Sequence, residues 1–174
     1  PTAIIVSIIA IVPISEIYIQ ILNYILGKIV KPKQLPKLAF TEGIPEEYST
    51  MVVIPTIVNS KEKVQELFRK MEVYYLANKE ENLYFTLLGD CTSSKNENEP
   101  FDEEVINEGI KQVKILNEKY VKENSKEKFY FLYRARKWNR GEKCYLGWER
   151  KRGMLCEFNE FLLTGNNKFR TNTI

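Results

Sequence analysis

The sequence of 174 residues contains no histidine and only three cysteines. The absence of histidine excludes a Ser-His-Asp or Cys-His catalytic arrangement within this chain, and it excludes histidine-bound zinc. Any general base that the chain supplies must therefore be a carboxylate. Cys91, Cys144 and Cys156 match neither the spacing of a zinc site nor a disulfide framework, so we expect free thiols in a reducing compartment.

The sequence also has little net charge. Twenty-six Lys and Arg residues against 23 Asp and Glu give a net charge of +3, which by itself does not indicate a nucleic-acid-binding protein. With 44% hydrophobic and 28% charged residues, the composition is that of a folded protein with one domain of ordinary size.

Residues 1–30 are strongly apolar, with Glu16 as their only acid and Lys28 as their only base. Their length satisfies the requirement of about 20 apolar residues for a membrane-spanning helix. We expect either one crossing or two shorter helices bent at Pro13; the alternative is a buried or interfacial helix of a soluble domain. No basic n-region or clear cleavage site is present, so we do not expect a secretory signal peptide.

A cluster of lysines follows this apolar segment and predicts, under the positive-inside rule, a cytoplasmic exit from the membrane. The four lysines are Lys28, Lys31, Lys33 and Lys37. Residues 31–49 contain three prolines and a glycine, which indicates a linker. The predicted organisation is an apolar helical segment at 1–30, a linker at 31–49 and a soluble domain at 50–174.

The predicted soluble domain alternates strands and helices. Three apolar runs predict buried strands, at 51–54, 83–88 and 128–133. Three amphipathic patterns predict helices, at 61–76, 102–120 and 153–163. Ser60 is a typical N-cap for the first of them. This alternation predicts an α/β fold with a parallel sheet covered on both faces, whose ligands bind at the carboxyl ends of the strands.

Three sites follow the ends of predicted strands and should lie at one edge of the sheet: Pro55-Thr56, Gly89-Asp90 and residues 134–152. The Asp90 carboxylate could accept hydrogen bonds from a base edge or from ribose hydroxyls. The alternative is a loop aspartate that caps its own backbone in an Asx-turn, and the sequence does not decide between the two.

Residues 134–152 combine eight basic residues with two tryptophans, and we expect them to form a loop. This composition suits a diphosphate and a stacked ring; a solvated basic loop and a site for single-stranded nucleic acid are the alternatives. Gly153 would allow a helix to begin close to a phosphate, which favours the anion-binding interpretation. The acidic run near 97–104 lacks the spacing of a calcium loop and is interpreted as solvated and helix-stabilising.

The sequence resembles the cyclic β-1,2-glucan synthases, large inner-membrane proteins with a glucosyltransferase domain among transmembrane helices. The resemblance covers nearly the whole chain and depends on short motifs. They are Ser15-Glu16, Asn23, Leu35-Pro36, Glu42-Gly43-Ile44-Pro45, Val52-Val53-Ile54-Pro55-Thr56, residues 72–78, Leu87-Leu88-Gly89-Asp90, residues 134–139, and Gly147-Trp148-Glu149-Arg150-Lys151-Arg152-Gly153 with Glu157 and Asn159. The heptapeptide from Gly147 to Gly153 is the most specific of them.

The resemblance implies the N-terminal, nucleotide-binding half of a Rossmann-like GT-A domain that moves glucose from UDP-glucose to a growing β-1,2-glucan, with inversion and a divalent metal ion, Mg²⁺ or Mn²⁺. It also implies the bacterial inner membrane, contacted through residues 1–30, a soluble part that faces the cytoplasm, and the remainder of the same polypeptide as a partner. Carried over from related processive synthases, the nucleotide-sugar contacts fall on seven residues: Pro55, Thr56, Asp90, Trp148, Lys151, Arg152 and Asn159.

In that family an Asp-x-Asp metal motif and an acidic general base follow further along the chain, and this sequence ends at Ile174 before either of them. We therefore expect that the fragment alone holds neither metal nor catalytic residues and has no appreciable turnover. The alternative function is a non-catalytic, Rossmann-like binding or scaffolding domain of a membrane protein. An RNA-binding basic loop is a third interpretation, but we expect no nucleic-acid partner.

Overall fold

A computed structural model describes residues 2–30, 33, 40–121 and 125–174. The chain divides into two compact units, residues 1–39 and residues 40–174. Three features of the sequence lie outside the described residues: Lys31 and Lys37 of the lysine cluster, the Leu35-Pro36 motif, and the corresponding part of the predicted linker.

The first unit contains one continuous helix over most of its described part, α1 (Thr2–Ile29). Pro13 lies inside this helix, so the predicted alternative of two shorter helices is wrong. At 1.5 Å per residue α1 is about 42 Å long, which exceeds the roughly 30 Å hydrocarbon core of a bilayer. It is apolar enough to cross a membrane, and none of its residues is buried. Length and composition alone thus suggest an association with a membrane.

The second unit is an α/β fold. Its strands are β1 (Thr50–Ile57), β2 (Leu83–Asp90), β3 (Phe129–Arg134), β4 (Lys137–Asn139), β5 (Cys144–Leu146) and β6 (Phe169–Asn172). Its helices are α2 (Lys61–Ala77), α3 (Pro100–Tyr120) and α4 (Arg150–Thr164), with a short 3-10 helix at Glu46–Tyr48. The main sheet has the order β1-β2-β3-β6, in which β1, β2 and β3 are parallel and β6 is antiparallel to β3. The predicted parallel arrangement is confirmed for the first three strands, whereas β6 was not predicted.

Helices cover both faces of this sheet. The larger core lies under α2 and α3 and includes Phe68, Phe85 and Phe131. The smaller core lies under α4, where Met154 and Phe158 pack against Leu132 and its neighbours. The predicted cap of α2 is confirmed, since the Ser60 hydroxyl accepts a hydrogen bond from the Lys63 backbone N–H at 3.2 Å.

The strands extend further than their apolar runs. β1 continues through Ile57, so the prediction that Pro55 and Thr56 follow the strand is wrong. Among the described strands of the main sheet, β1 lies at one edge. An edge strand tolerates a proline, because the backbone N–H that proline lacks would point away from the neighbouring strand and make no sheet hydrogen bond. β2 likewise includes Gly89 and Asp90.

Two predictions for residues 134–152 and the following helix are corrected. The segment is not a plain loop, because β4 and β5 form an antiparallel hairpin in which Trp138 lies opposite Tyr145. Helix α4 begins at Arg150 rather than at Gly153. Gly153 lies within the first turn, where a Cβ atom would collide with the Trp148 backbone carbonyl. Close packing against Trp148 therefore explains this glycine without a phosphate.

Residues 40–49, within the predicted linker, belong to the second unit. Ile44 contacts the larger core, and its carbonyl accepts a hydrogen bond from the Asn82 side-chain amide at 2.9 Å.

Candidate functional site

Asp90 lies at the carboxyl end of β2, where parallel α/β sheets bind their ligands. It pairs with Ile57 on β1, and its carbonyl accepts a hydrogen bond from the Val58 N–H at 2.9 Å. The residue is only 1% exposed. Its Oδ1 atom accepts a hydrogen bond from the Cys91 N–H at 3.1 Å, whereas Oδ2 has no hydrogen-bond partner among the described residues. The Oδ1 atom thus has a hydrogen bond to the neighbouring backbone, whereas the Oδ2 atom lacks one among the described residues.

Two arginines approach this carboxylate without donating to it at hydrogen-bond distance. Arg134 Nη1 is 3.7 Å from Oδ1, and Arg150 Nη1 is 3.6 Å from Oδ2. Burial raises the pKa of Asp90, and the charges of Arg134 and Arg150 oppose that shift without cancelling it. The result is a desolvated carboxylate that is incompletely satisfied.

Other acceptors hold both guanidinium groups in place. Arg134 donates from Nε to Glu157 Oε2 at 2.7 Å and from Nη2 to the Trp148 carbonyl at 2.7 Å. Arg150 donates to the Cys91 carbonyl at 3.0 Å and to the Ser93 hydroxyl. These bonds explain why neither arginine closes onto Asp90.

Residues 147–150, which we name the cover segment, lie directly over Asp90. A Cβ atom at Gly147 would collide with Asp90 Oδ1 and would come within 2.8 Å of Arg134 Nη1. Glu149 and Arg150 have φ angles of +46° and +48°. Left-handed backbone at a non-glycine residue costs on the order of 1–2 kcal/mol, so the cover segment stores strain where it closes over the carboxylate.

The remaining predicted site residues differ in how directly they contact the Asp90 carboxylate and its two arginines. Thr56 pairs with Gly89 and, like Pro55, is half-buried next to the end of β2. Lys151 and Arg152 are exposed in the first turn of α4, and Arg152 pairs with Glu149 at 3.2 Å.

Trp148 and Asn159 complete the predicted set. Trp148 belongs to the cover segment and connects to the centre through its carbonyl, which Arg134 holds. Asn159 is exposed on α4, and no hydrogen bond joins its side chain to the other predicted site residues within the described ranges.

Sequence reasoning missed a second buried charge cluster around Asp102, at the start of α3. Its carboxylate accepts hydrogen bonds from Arg136, from Arg170 at 3.1 Å and from the Tyr133 hydroxyl at 3.0 Å. Burial alone would raise the pKa of Asp102, but the bonds from Arg136 and the Glu99 N–H outweigh it and hold the pKa below its usual value. Asp102 belongs to the acidic run near 97–104, and the prediction that this run is solvated is wrong for Asp102, which is fully buried. Its partners Arg136 and Arg170 lie 34 and 68 positions away, so the sequence did not indicate that they meet it.

Sequence reasoning also missed a groove of about 370 Å³ between the β4-β5 hairpin and α4, which we name the tryptophan groove. Its lining residues are Lys137, Trp138, Asn139, Leu146, Trp148, Cys156, Glu157, Glu160 and Lys168. Glu157 connects the groove to the Asp90 centre, because it binds Arg134 with one carboxylate oxygen and faces Lys137 Nζ at 3.5 Å with the other.

The described ranges contain no group of three or more Cys, Asp and Glu side chains that could hold a metal ion. The acidic residues of the Asp90 and Asp102 centres face arginines instead.

Comparison with curated proteins finds the cyclic β-(1,2)-glucan synthase NdvB of Rhizobium meliloti (strain 1021), which is 38% identical over 154 residues. The aligned region covers 88% of this chain and 5% of that relative, so the chain spans about one-twentieth of the length of the curated relative that it matches. No protein-family model matches the sequence. The identity confirms the resemblance that the short motifs indicate.

Proposed function

Since this chain belongs to the cyclic β-(1,2)-glucan synthase family over 88% of its length, we propose that its second unit is the donor-nucleotide-binding half of a GT-A-type glucosyltransferase domain. In this proposal the complete enzyme moves glucose from UDP-glucose to a growing β-1,2-glucan with inversion. Helix α1 then contributes to its attachment to the bacterial inner membrane, with the second unit in the cytoplasm.

The observation that carries the proposal is the unpartnered Oδ2 atom of Asp90. A buried polar atom without a hydrogen bond costs about 1–3 kcal/mol, so such a group persists where a ligand supplies the missing donor. The N–H of a uracil ring and the hydroxyls of ribose are donors of this kind. Asp90 also lies at the edge of the sheet where parallel strands end, with Pro55 and Thr56 on the neighbouring strand.

Binding at Asp90 requires the cover segment to move, because Gly147 and Arg150 now occupy the space in front of the carboxylate. The ligand then donates to Oδ2 and takes the place of the Arg150 guanidinium, which faces that atom at 3.6 Å without a hydrogen bond. The released Arg150, together with Lys151 and Arg152 at the start of α4, lies where free backbone N–H groups also favour a diphosphate. Opening relieves the strained φ angles of Glu149 and Arg150.

The divalent cation that the resemblance implies remains part of the proposal for the complete enzyme. The described residues do not fit such an ion, since they offer no convergent set of acidic ligands. They contribute recognition of the nucleotide, and we assign them no step that passes through a metal.

Calorimetric titration of the chain with UDP and UDP-glucose, with and without Mg²⁺, tests this function. We expect UDP to bind without metal and the Asp90→Asn variant to bind it at least about tenfold more weakly, because a charge-assisted hydrogen bond is lost. Glu108→Gln is the matched control, since Glu108 is a buried carboxylate held by Gln65 and Gln112 on the helices. A folded chain that does not bind UDP, or an Asp90→Asn variant that binds it as well as the wild type, would refute the proposal.

One observation favours the second candidate, a scaffolding domain with an unused site. Asp90 is almost completely buried, and Arg134, Arg136, Arg150 and Arg152 are each paired with a carboxylate of the chain itself. The same titration separates the two functions, because a scaffold whose cover segment never opens does not bind UDP.

A further inference from the structure

The tryptophan groove does not have Asp90 among its lining residues, although Trp148 belongs both to the groove and to the cover segment. Its aromatic surface is its first distinctive feature. Trp138 and Trp148 are 52% and 48% exposed, which leaves much of each indole open to a ligand. While the cover segment is closed, both rings are nevertheless held in place. Trp138 packs edge-on against Tyr145, with 5.1 Å between the ring centroids. Gly153 packs closely against the carbonyl and ring of Trp148. A rigid aromatic surface binds with little loss of side-chain entropy.

The charges in the tryptophan groove cancel. It contains two lysines and two glutamates, and Lys168 Nζ pairs with Glu160 at 2.6 Å while Lys137 lies 3.5 Å from Glu157. A diphosphate placed here would meet two carboxylates as well as two lysines, so the groove offers no net positive charge to the nucleotide donor. Its polar groups instead place acceptors beside donors, which suits a neutral ligand rich in hydroxyl groups.

Asn139 also lines the tryptophan groove and contributes a side-chain amide whose orientation is fixed. Its Oδ1 atom accepts hydrogen bonds from the N–H groups of Gly141 and Glu142 at 2.9 and 3.1 Å, which orients the side chain in the hairpin turn. The volume of about 370 Å³ lies within the range of small-molecule sites. A saccharide matches these features, because its C–H face stacks on aromatic rings such as the two indoles. Its hydroxyls can bond to the polar side chains of the groove, whose charges cancel.

We propose that the tryptophan groove binds a short stretch of glucan chain, stacked on Trp138 and Trp148. The site is distinct from the nucleotide site at Asp90 and would hold the growing polymer beside it, with Glu157 between the two. The choice of a β-1,2-linked glucan rests on the proposed function; the chemistry of the groove by itself specifies a neutral saccharide.

Intrinsic fluorescence reports this site, because the chain has two tryptophans and both line the groove. Trp138 lies outside the cover segment, so its substitution separates a response of the groove from one of the Asp90 site. The experiment titrates the full chain with sophorose and longer β-1,2-gluco-oligosaccharides, in a detergent without a sugar headgroup because such a headgroup could occupy the groove. We expect a saturable change in emission and affinity that increases with chain length. Trp138→Ala should weaken binding about tenfold, with Trp148 still reporting, whereas Trp138→Phe should retain most of the affinity.

Two controls separate this proposal from the nucleotide site. Tyr74→Ala removes an exposed aromatic ring on α2, outside the groove, and should leave saccharide binding unchanged. Asp90→Asn should weaken UDP binding at least about tenfold and keep saccharide binding, so failure at one site is distinguishable from failure at the other.

Cys156 provides a second readout, because it is exposed and lines the groove. Bound oligosaccharide should slow its alkylation, measured by mass spectrometry on the Cys156 peptide. No saturable response to any oligosaccharide, or a response that Trp138→Ala leaves unchanged, would overturn the proposal. An emission change caused equally by lipid vesicles without sugar would assign the indoles to a membrane surface and would also overturn it.

Discussion

Substitution of Gly147 by alanine tests whether the cover segment must open for nucleotide binding. The added methyl group would collide with Asp90 Oδ1 and lie about 2.8 Å from Arg134 Nη1, both of which are buried and unable to retreat. Overpacking of this kind costs about 1–3 kcal/mol, and here it penalises only the closed position of the segment. We expect the free energy of unfolding to fall by about that amount, measured by urea denaturation followed through tryptophan emission.

The same substitution should strengthen UDP binding. If the closed segment must be displaced before UDP enters, destabilising it raises the fraction of binding-competent molecules, and each 1.4 kcal/mol is worth about tenfold in apparent affinity. Gly141→Ala is the control, because a Cβ atom there meets only Asn139 Oδ1 at 3.3 Å, and both stability and affinity should stay nearly unchanged. Reduced stability with unchanged or weaker UDP binding would refute the idea of a cover that opens.

Three further predictions concern the packing of α3, the ion pairs of Asp102 and the apolar helix α1. Gly109→Ala forces a Cβ atom into the Phe131 ring where α3 crosses β3, so it should cost about 1–3 kcal/mol by urea denaturation; an unchanged midpoint would contradict the packing described. Because the folded pKa of Asp102 is lowered, its contribution to stability is complete above the ordinary aspartate value of about 3.9 and is lost as pH falls through the lowered pKa. Asp102→Asn should flatten the acid side of the curve of stability against pH, and an unaltered acid side would show that Asp102 does not titrate as described. Because the substitution also breaks the pair with Arg136, it should lower the free energy of unfolding at pH 7 by about 3–5 kcal/mol. Replacement of Ile14, near the middle of α1, by aspartate should weaken bilayer insertion by about 3–4 kcal/mol and so lower the fraction that floats with liposomes; equal flotation of both proteins would argue against a spanning helix.

The helices and the central strands could be predicted from the sequence because their signals are local. Apolar residues recur at helical spacing in α2 and α3, and Ser60 marks the start of α2 by a side chain that bonds three residues away. The apolar composition of α1 likewise depends on no other part of the chain. Alternating strands and helices then constrain β1, β2 and β3 to be parallel, since crossovers of this length favour that arrangement.

The ends of these elements and the state of the site were decided by tertiary structure. Pro55 and Asp90 belong to strands because neighbouring strands continue beside them, and α4 begins at Arg150 because Gly147 and Trp148 pack over Asp90 and Arg134. The same packing buries Asp90.

The sequence by itself therefore determined the α/β alternation, the apolar helix, the family and the residues from which a site could be built. Only the tertiary structure decided which charges meet. Asp90 and Arg134 are 44 positions apart, and Asp102 and Arg170 are 68 apart. Periodicity records which face of an element is apolar, whereas an ion pair between distant elements depends on how those elements pack. For that reason the closed cover over Asp90 and the tryptophan groove emerge only when the chain is folded.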